Sequence, residues 1–449
     1  MLQVDVLVVG GGFGGTAAAR ALEQRLAGRS ERVMLVASEN FLTFTPLLPE
    51  AASGTLEPRH AVLPLRQLLP HTELMAGEVV SLDVAARTAT VEDLNHERHQ
   101  VAYRTLVLSP GSVPQTFPIP GLREHAVGFK TLADAIWLRN RVLRQLEAAE
   151  STDDLRLRRQ LLTFTFVGGG YAGVEALAEL ESLARDAVRT YTRIRPSDFR
   201  WVLVEATDAL LPGLDRRLAG YSERQLRRRG IEVRLSTRME SCEGGTVRLS
   251  DPSVAPYPSG TIVWTAGQRP SPLAAEAGLV TDEKGRVPVD DWMRVHGMRD
   301  VYAVGDAAAV PDPDGGLCPA TAQHALRQGR VAGLNAAAGL GVGEEKPFRY
   351  RNRGLAVTLG KHQGTAQVKQ FVFTGPLAWW MGRSYHLIMV PGLARRLRIV
   401  TDWTLSLFFS RDVSQLGALG RPSPLDSSRL DQPESPSAAA AGATEAPAG

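Results

Sequence analysis

Two stretches of this chain carry residues spaced to hold pyrophosphate groups. Val4–Gly15 reads VDVLVVGGGFGG and Leu161–Glu175 reads LLTFTFVGGGYAGVE. Each sets an apolar, largely aliphatic or aromatic run ahead of G-x-G-x-x-G: Gly10, Gly12 and Gly15, with Gly14 between, and then Gly168, Gly170 and Gly173. The chemistry needs glycine three times, for a tight turn, for a backbone that can approach a pyrophosphate and for close helix-to-strand packing. The helix that follows turns its N-terminal amides toward the phosphates. One such fingerprint is weak. Two of them, each between a strand and a helix, imply two dinucleotides.

Acids at strand ends refine this. The strand Arg200–Val204 ends in Glu205, where a carboxylate accepts from both ribose hydroxyls and repels a 2′-phosphate; no Arg follows at once, so NADH is expected over NADPH. Its alternative is a solvated strand end. Glu39 plays the same part for the first unit, two residues beyond the strand's last residue, Ala37, with a solvated loop acid as the alternative. Asp300–Ala308 ends in Gly305-Asp306, at the carboxyl end of a buried strand where ligands bind in open α/β sheets and where a carboxylate can accept from a ribityl chain. No catalytic triad, histidine cluster or C-x-x-C is present, and Cys242 and Cys318 stand far apart. This argues against a disulfide framework, a zinc site and a redox dithiol, and no metal is expected. His324 and His386 are isolated and read as structural.

The elements that position these residues define an α/β chain with two Rossmann-like dinucleotide-binding domains, one inserted in the other. A length of 449 residues exceeds one core. With 44% hydrophobic and 22% charged residues the composition is globular, and a net charge of +3 gives no reason to invoke nucleic acid. The first domain comprises 1–114 and 268–344, and the second 115–267. Asn40–Arg66, rich in Pro and apolar residues, is expected as an ordered loop over a ligand. Lys130–Glu150 has helical spacing, and Ser151–Gln160 reads as a solvated connection. The first strand begins within a few residues of Met1, without a secretory signal, so a cytoplasmic protein is expected.

From Phe371 to Arg411 the composition changes. Trp379, Trp380, Trp403, Phe408 and Phe409 occur with Arg383, Arg395, Arg396, Arg398 and Arg411, and acids nearly vanish. No run approaches the ~20 apolar residues that span a bilayer. Two amphipathic helices broken at Pro391-Gly392 are expected in the interface, with Trp and Phe at head-group depth and Arg toward anionic lipid. A dimerisation face is the alternative. Residues 345–419 form this region, and 420–449, rich in Pro, Ser and Ala, are expected to be disordered.

VVGGGFGG, FTPLLPEAASGTLEPRH, VGGGYAGVEALAEL, VWTAG, AVGDAA, TAQHALRQG, GLAVTLGKHQGTAQV and WWMGRSYHLI together resemble the type II, or alternative, NADH:quinone oxidoreductases of the two-dinucleotide flavoprotein superfamily. The resemblance implies non-covalent FAD in the outer segments, NADH in the middle, and a flavin-mediated, non-proton-pumping transfer of a hydride from NADH and then two electrons to a membrane quinone, menaquinone or ubiquinone. It implies a peripheral protein on the inner leaflet of the cell membrane, often a homodimer. Ala322 and Gln323 correspond to the segment beside the isoalloxazine and the quinone tunnel. Arg327 stands where the family often has a second Gln, and Tyr171 and Ala172 replace Pro and Thr. Tyr171 is a candidate to cover the flavin, as in the related disulfide reductases, and Glu175 to orient the nicotinamide carboxamide; packing and helix capping are their alternatives. Rival readings are a sulfide:quinone oxidoreductase, a ferredoxin or rubredoxin reductase, and a non-enzymatic NADH sensor.

Overall fold

The computed structural model describes residues 1–351 and 354–415. The tail expected to be disordered lies outside the described residues.

The N-terminal apolar run forms β1 (Leu2–Val9), in which Val6, Leu7 and Val8 have no exposed surface. Parallel neighbours flank it on both sides, which is why it lacks the alternation of a half-solvated strand. Helix α1 (Phe13–Arg25) starts inside the glycine fingerprint, so that Gly14 and Gly15 wind into its first turn. After it, β2 (Val33–Ala37) pairs with β1, Val6 opposite Val33.

The segment 40–66 is more regular than expected. It holds an antiparallel pair, Phe41–Thr43 with Val62–Pro64, and a short helix, α2 (Leu48–Ala52). Pro49 lies in the first turn of α2, where its missing N–H has no helical acceptor to lose. Next, β3 (Glu73–Asp83) pairs with β2 through its first residues and then runs antiparallel to β4 (Thr88–Asp93). The following strand, β5 (Arg98–Leu108), leaves β4 to join β1.

The chain then enters a second sheet. It supplies β6 (Ala126–Val127), α3 (Leu132–Ser151), α4 (Leu155–Leu161), β7 (Thr163–Val167), α5 (Tyr171–Ala187), β8 (Arg200–Val204), β9 (Ile231–Arg234) and β10 (Thr261–Trp264). The strands are all parallel, in the order β9-β8-β7-β10-β6. A reciprocal capping box between Thr131 and Asp134 sets the start of α3. The expected solvated connection after it is instead the helix α4, because the Asp154 carboxylate accepts from the amides of Arg156 and Leu157.

Outgoing and returning chains meet as an antiparallel pair, Ser112–Pro114 with Gln268–Pro270. On the return, β11 (Val301–Ala303) pairs with β5 and completes the first sheet. The second sheet is therefore drawn wholly from chain lying between two strands of the first. Leu7, Leu22, Leu35, Leu106 and Tyr302 fill one core. Phe164, Leu177 and Trp201 belong to another, with Phe164 and Trp201 stacked at 4.2 Å.

The long helix α6 (Ala322–Gly339) crosses α1 closely enough to exclude side chains. A Cβ on Gly329 would lie 2.0 Å from the Gly14 carbonyl oxygen, and one on Gly333 2.4 Å from that of Ala18. Beyond α6, β12 (Gly354–Thr358), β13 (Gly364–Val368) and β14 (Phe371–Thr374) form an antiparallel sheet. Two helices follow, α7 (Gly375–Met389) and α8 (Leu393–Phe408), separated at Pro391-Gly392. No helix among the described residues is long and apolar enough to cross a membrane.

The orientation of these last helices corrects part of the sequence reading. Trp379 and Trp403, expected at head-group depth, are buried at 2% and 7% exposure. The side chains of Arg383 and Arg411, expected to face lipid, are buried in ion pairs with Glu50 and Glu179. These residues dock the helices on the body, and the opposite side exposes Leu377, Trp380, Ile388, Leu393, Leu397 and Phe408.

Candidate active site

At the end of β1, Gly10 adopts φ +100°, and a Cβ there would lie 2.1 Å from the Ser109 carbonyl oxygen. On Gly15 it would lie 1.9 Å from the Gly10 carbonyl oxygen, and on Gly14 2.6 Å from Ser109 Oγ. Gly12 differs: a Cβ on it would meet nothing within 4 Å. It is also the N-cap of α1, with no side-chain cap. The turn is thus closed against protein and open on the side toward which the helix amides point, as a bound pyrophosphate requires.

Across β5, Ser112 Oγ donates to Asp306 Oδ2 at 2.7 Å. Lys130 Nζ donates in turn to Ser112 Oγ, at 2.9 Å, and to Gln268 Oε1, at 3.1 Å. Burial pushes the Lys130 ammonium down, against the attraction of Asp306 and Asp134. The Gly305 amide donates to Gln328 Oε1 at 2.9 Å. Sequence reasoning found Gly305 and Asp306 but missed Lys130, Ser112 and Gln328. Their partners are distant in sequence, and no local signal marked them. Glu39 is exposed and lines a shallow cleft with Ala37, Asn40, Leu65 and Arg66.

The second turn repeats the first. Gly168 has φ +113°, a Cβ on Gly173 would lie 2.1 Å from the Gly168 carbonyl oxygen, and one on Gly170 would meet nothing within 4 Å. Gly170 caps α5 without a side-chain bond. Glu205 is fastened beside it: Oε2 accepts from the Gly169 amide at 2.6 Å, and Oε1 from the Thr207 amide and hydroxyl at 2.8 Å.

One turn into α5 stands Glu175. Its Oε1 accepts from the Thr358 amide at 2.8 Å and hydroxyl at 3.2 Å, a contact across 183 residues that no local signal announces. Although part of Glu175 remains accessible, the dense packing around it pushes its carboxyl up to about 8, opposed by the Thr358 bonds and reinforced by Glu179 and Glu50. Tyr171 is half-buried with its hydroxyl unpartnered, and burial, then Glu175, pushes its phenol up to about 12. Glu50 is buried on α2, and Arg383 Nε stands 3.0 Å from its Oε1. Burial outweighs that cation and raises the Glu50 carboxyl.

Ala322 and Gln323 open α6, which Thr321 caps. Gln323 Oε1 accepts from the Tyr350 hydroxyl at 2.8 Å. Arg327 donates to the Gln323 carbonyl at 2.9 Å and lies over the Tyr350 ring at 4.1 Å. The departure at Arg327 is therefore a guanidinium that braces Gln323. His324 is buried against Tyr350. Burial pushes His386 down to about 4, so it is neutral near pH 7. Glu175 and Gln323 lie in separate hydrogen-bond networks among the described contacts.

Residues 4–329 match the pyridine nucleotide-disulphide oxidoreductase family. The chain is 30% identical over 419 residues to the type II NADH:quinone oxidoreductase Ndh of Mycobacterium tuberculosis, covering 90% of this chain and 88% of that protein. It is 31% identical to NdhA of the same organism, with 92% and 88% covered. The chain belongs to the type II NADH:quinone oxidoreductases. Its fold matches the solved structure of NDH2 from Plasmodium falciparum in complex with NADH, at a TM-score of 0.83 and 17% identity, over 92% of this chain and 99% of that one.

A type II enzyme carries FAD and uses NADH, and the chain's own geometry fits both. The chain has two glycine turns, each of which a Cβ would jam at the first and third positions but leave free at the second. Each turn also presents an uncapped helix N-terminus. The Tyr171 hydroxyl, buried and without a partner among the described residues, is the kind of orphan group that a bound ligand satisfies.

Proposed function

We infer that this chain oxidises NADH and reduces a quinone through FAD, without pumping protons. The paired glycine turns, in a chain of this family, carry the reading. We assign FAD to 1–114 and 268–344, with Gly10, Gly12, Gly14 and Gly15 around its pyrophosphate, Glu39 at the adenosine ribose, and Gly305 and Asp306 at the ribityl chain. NADH falls to 115–267, with Gly168, Gly170 and Gly173 at its pyrophosphate and Glu205 on the ribose hydroxyls. Bound in that cradle, FAD supplies the two-electron redox chemistry that joins NADH oxidation to quinone reduction.

The protein's task is to bind, orient and manage protons. Tyr171 covers the ring region where the nicotinamide enters, and Glu175 accepts from its carboxamide or holds a proton there. A carboxyl raised to about 8 is protonated near pH 7 and can release that proton as the quinone is reduced. Gln323, held by Tyr350 and Arg327, lies with Ala322 at the quinone side. The net reaction takes NADH, one proton and quinone to NAD⁺ and quinol.

The apolar side of α7 and α8 supports a peripheral seat on the cytoplasmic face of the cell membrane, with the arginines Arg395 and Arg398 nearby; a homodimer shares the 345–419 region without displacing that seat. A sulfide:quinone reaction would need paired cysteines, whereas Cys242 and Cys318 are both free and belong to different apolar clusters. Steady-state NADH consumption with a short-chain menaquinone or ubiquinone, compared with ferredoxin, rubredoxin and sulfide plus quinone, tests the function. Turnover is expected with NADH and quinone alone. Flavin-dependent turnover only with sulfide or an iron-sulfur protein would overturn it.

A further inference from the structure

Behind the exposed side of α8 lies a small cleft that the redox reading does not use. Its walls include Lys361, His362, Trp379, Arg383, Ser406 and Arg411, and no carboxylate is among the lining residues. The two guanidinium groups are almost wholly enclosed, with side-chain exposures of 5% for Arg383 and 4% for Arg411. Arg383 is paired with Glu50 at 3.0 Å, whereas the counter-charges of Arg411 stand farther off. Arg411 stands 3.5 Å from Glu179 and 3.6 Å from Asp186, and its Nη1 donates to the Glu179 carbonyl at 3.5 Å.

Among the described residues, two buried donors at this cleft have no hydrogen-bond acceptor: Trp379 Nε1 and Arg383 Nε, the latter near Glu50 but not aligned with it. A buried N–H without an acceptor costs free energy, and here two of them, with three cations, converge on one space. Burial, and after it Lys361 and Arg383, push the His362 imidazolium down. A ligand that suits such a wall offers several acceptors, no donors and negative charge.

The position of the cleft narrows the ligand further. Ser406 and Leu407 of α8 form its rim, and Leu405, Leu407, Phe408 and Phe409 beside them are exposed. A phosphate seated in the cleft would leave its ester substituents at that apolar edge. We propose that this cleft binds a phosphate group, and that its occupant is the head-group phosphate of an anionic phospholipid. The lipid source rests on the membrane reading above, whereas the phosphate chemistry rests on the cleft itself.

The test uses the full-length, FAD-loaded protein, with inorganic phosphate and with vesicles of phosphatidylglycerol or phosphatidylcholine as probes. Trp379→Phe keeps an aromatic ring and leaves the charges of the cleft in place but removes one unsatisfied N–H, and Lys361→Gln alters an exposed residue. Arg398→Gln is the control, removing an exposed charge on α8 outside the cleft. Phosphate at matched ionic strength is expected to raise the Tm of the parent and of Arg398→Gln but not of the two cleft variants. Both cleft variants should lose about tenfold in affinity for phosphatidylglycerol vesicles, with binding to phosphatidylcholine unchanged.

If both cleft variants match the parent in every assay, the site is overturned. If they lose only the phosphate response and keep their vesicle affinity, a soluble phosphate fills the cleft and the lipid assignment is overturned. If the parent binds no vesicles, the membrane reading fails, and the phosphate-dependent Tm still decides the cleft.

Discussion

At the first glycine turn a Cβ on Gly15 would lie 1.9 Å from the Gly10 carbonyl oxygen, and at the second a Cβ on Gly173 would lie 2.1 Å from that of Gly168. The backbones repeat each other; the acids beside them do not. Glu205 is anchored by the Gly169 amide and by both polar groups of Thr207, while Glu39 is exposed at the edge of a cleft. A cofactor that stays bound can rely on its whole length for affinity. A substrate that comes and goes at every turnover gains more from a carboxylate fixed in advance, because less ordering remains to be done on binding.

Jamming the turns should separate their roles most sharply. Gly15→Ala drives a methyl into the Gly10 carbonyl, and the purified protein is expected to carry little flavin, by its absorbance-to-protein ratio. Gly173→Ala should retain flavin but lose NADH-dependent reduction. Flavin retention by Gly15→Ala would break the proposed assignment of the two turns.

The acids should differ next. Removing a charged acceptor of hydrogen bonds costs about 1.5–3 kcal/mol, or roughly tenfold or more. Glu205→Gln should therefore raise the KM for NADH at least about tenfold and narrow the preference against NADPH. Glu39→Gln should change flavin content little. Equal effects at the two positions would remove the distinction drawn between them.

Glu175 gives a pH signature. Its carboxyl, ordinarily near 4.5, is held up to about 8 in the fold. Between those values the folded chain keeps a proton that the unfolded chain releases, so this contribution to stability is complete below 4.5 and is lost as pH rises through about 8. Glu175→Gln should flatten that part of the Tm profile, and should remove a decline in kcat above about pH 8 if the proton serves the reaction. The smallest effect is expected at the open glycines. Gly12→Ala and Gly170→Ala meet no protein atom within 4 Å, so the Tm of the ligand-free fold should shift little, while the affinity for the corresponding dinucleotide falls.

The glycine turns and their flanking strands were legible in sequence because their requirements are local: an apolar strand, a turn that tolerates positive φ, and a helix start. Gly305-Asp306 was legible for the same reason. Long-range geometry was not. Thr358 reaches Glu175, and Lys130 reaches Ser112 beside Asp306, through a fold that brings distant segments together. The C-terminal helices show the limit of composition most clearly. Trp379, Trp403, Arg383 and Arg411 looked like interfacial residues, but composition cannot tell which side of an amphipathic helix docks on the body. Glu50 and Glu179, the buried acids that turn two of these arginines inward, lie hundreds of residues away.

The most direct measurement is an anaerobic titration of the flavin absorbance of the purified protein with NADH, followed by a short-chain menaquinone or ubiquinone. Bleaching near one equivalent of NADH and recovery on adding quinone is the predicted result. Bleaching without recovery by either quinone, or no bleaching by NADH, would contradict the account.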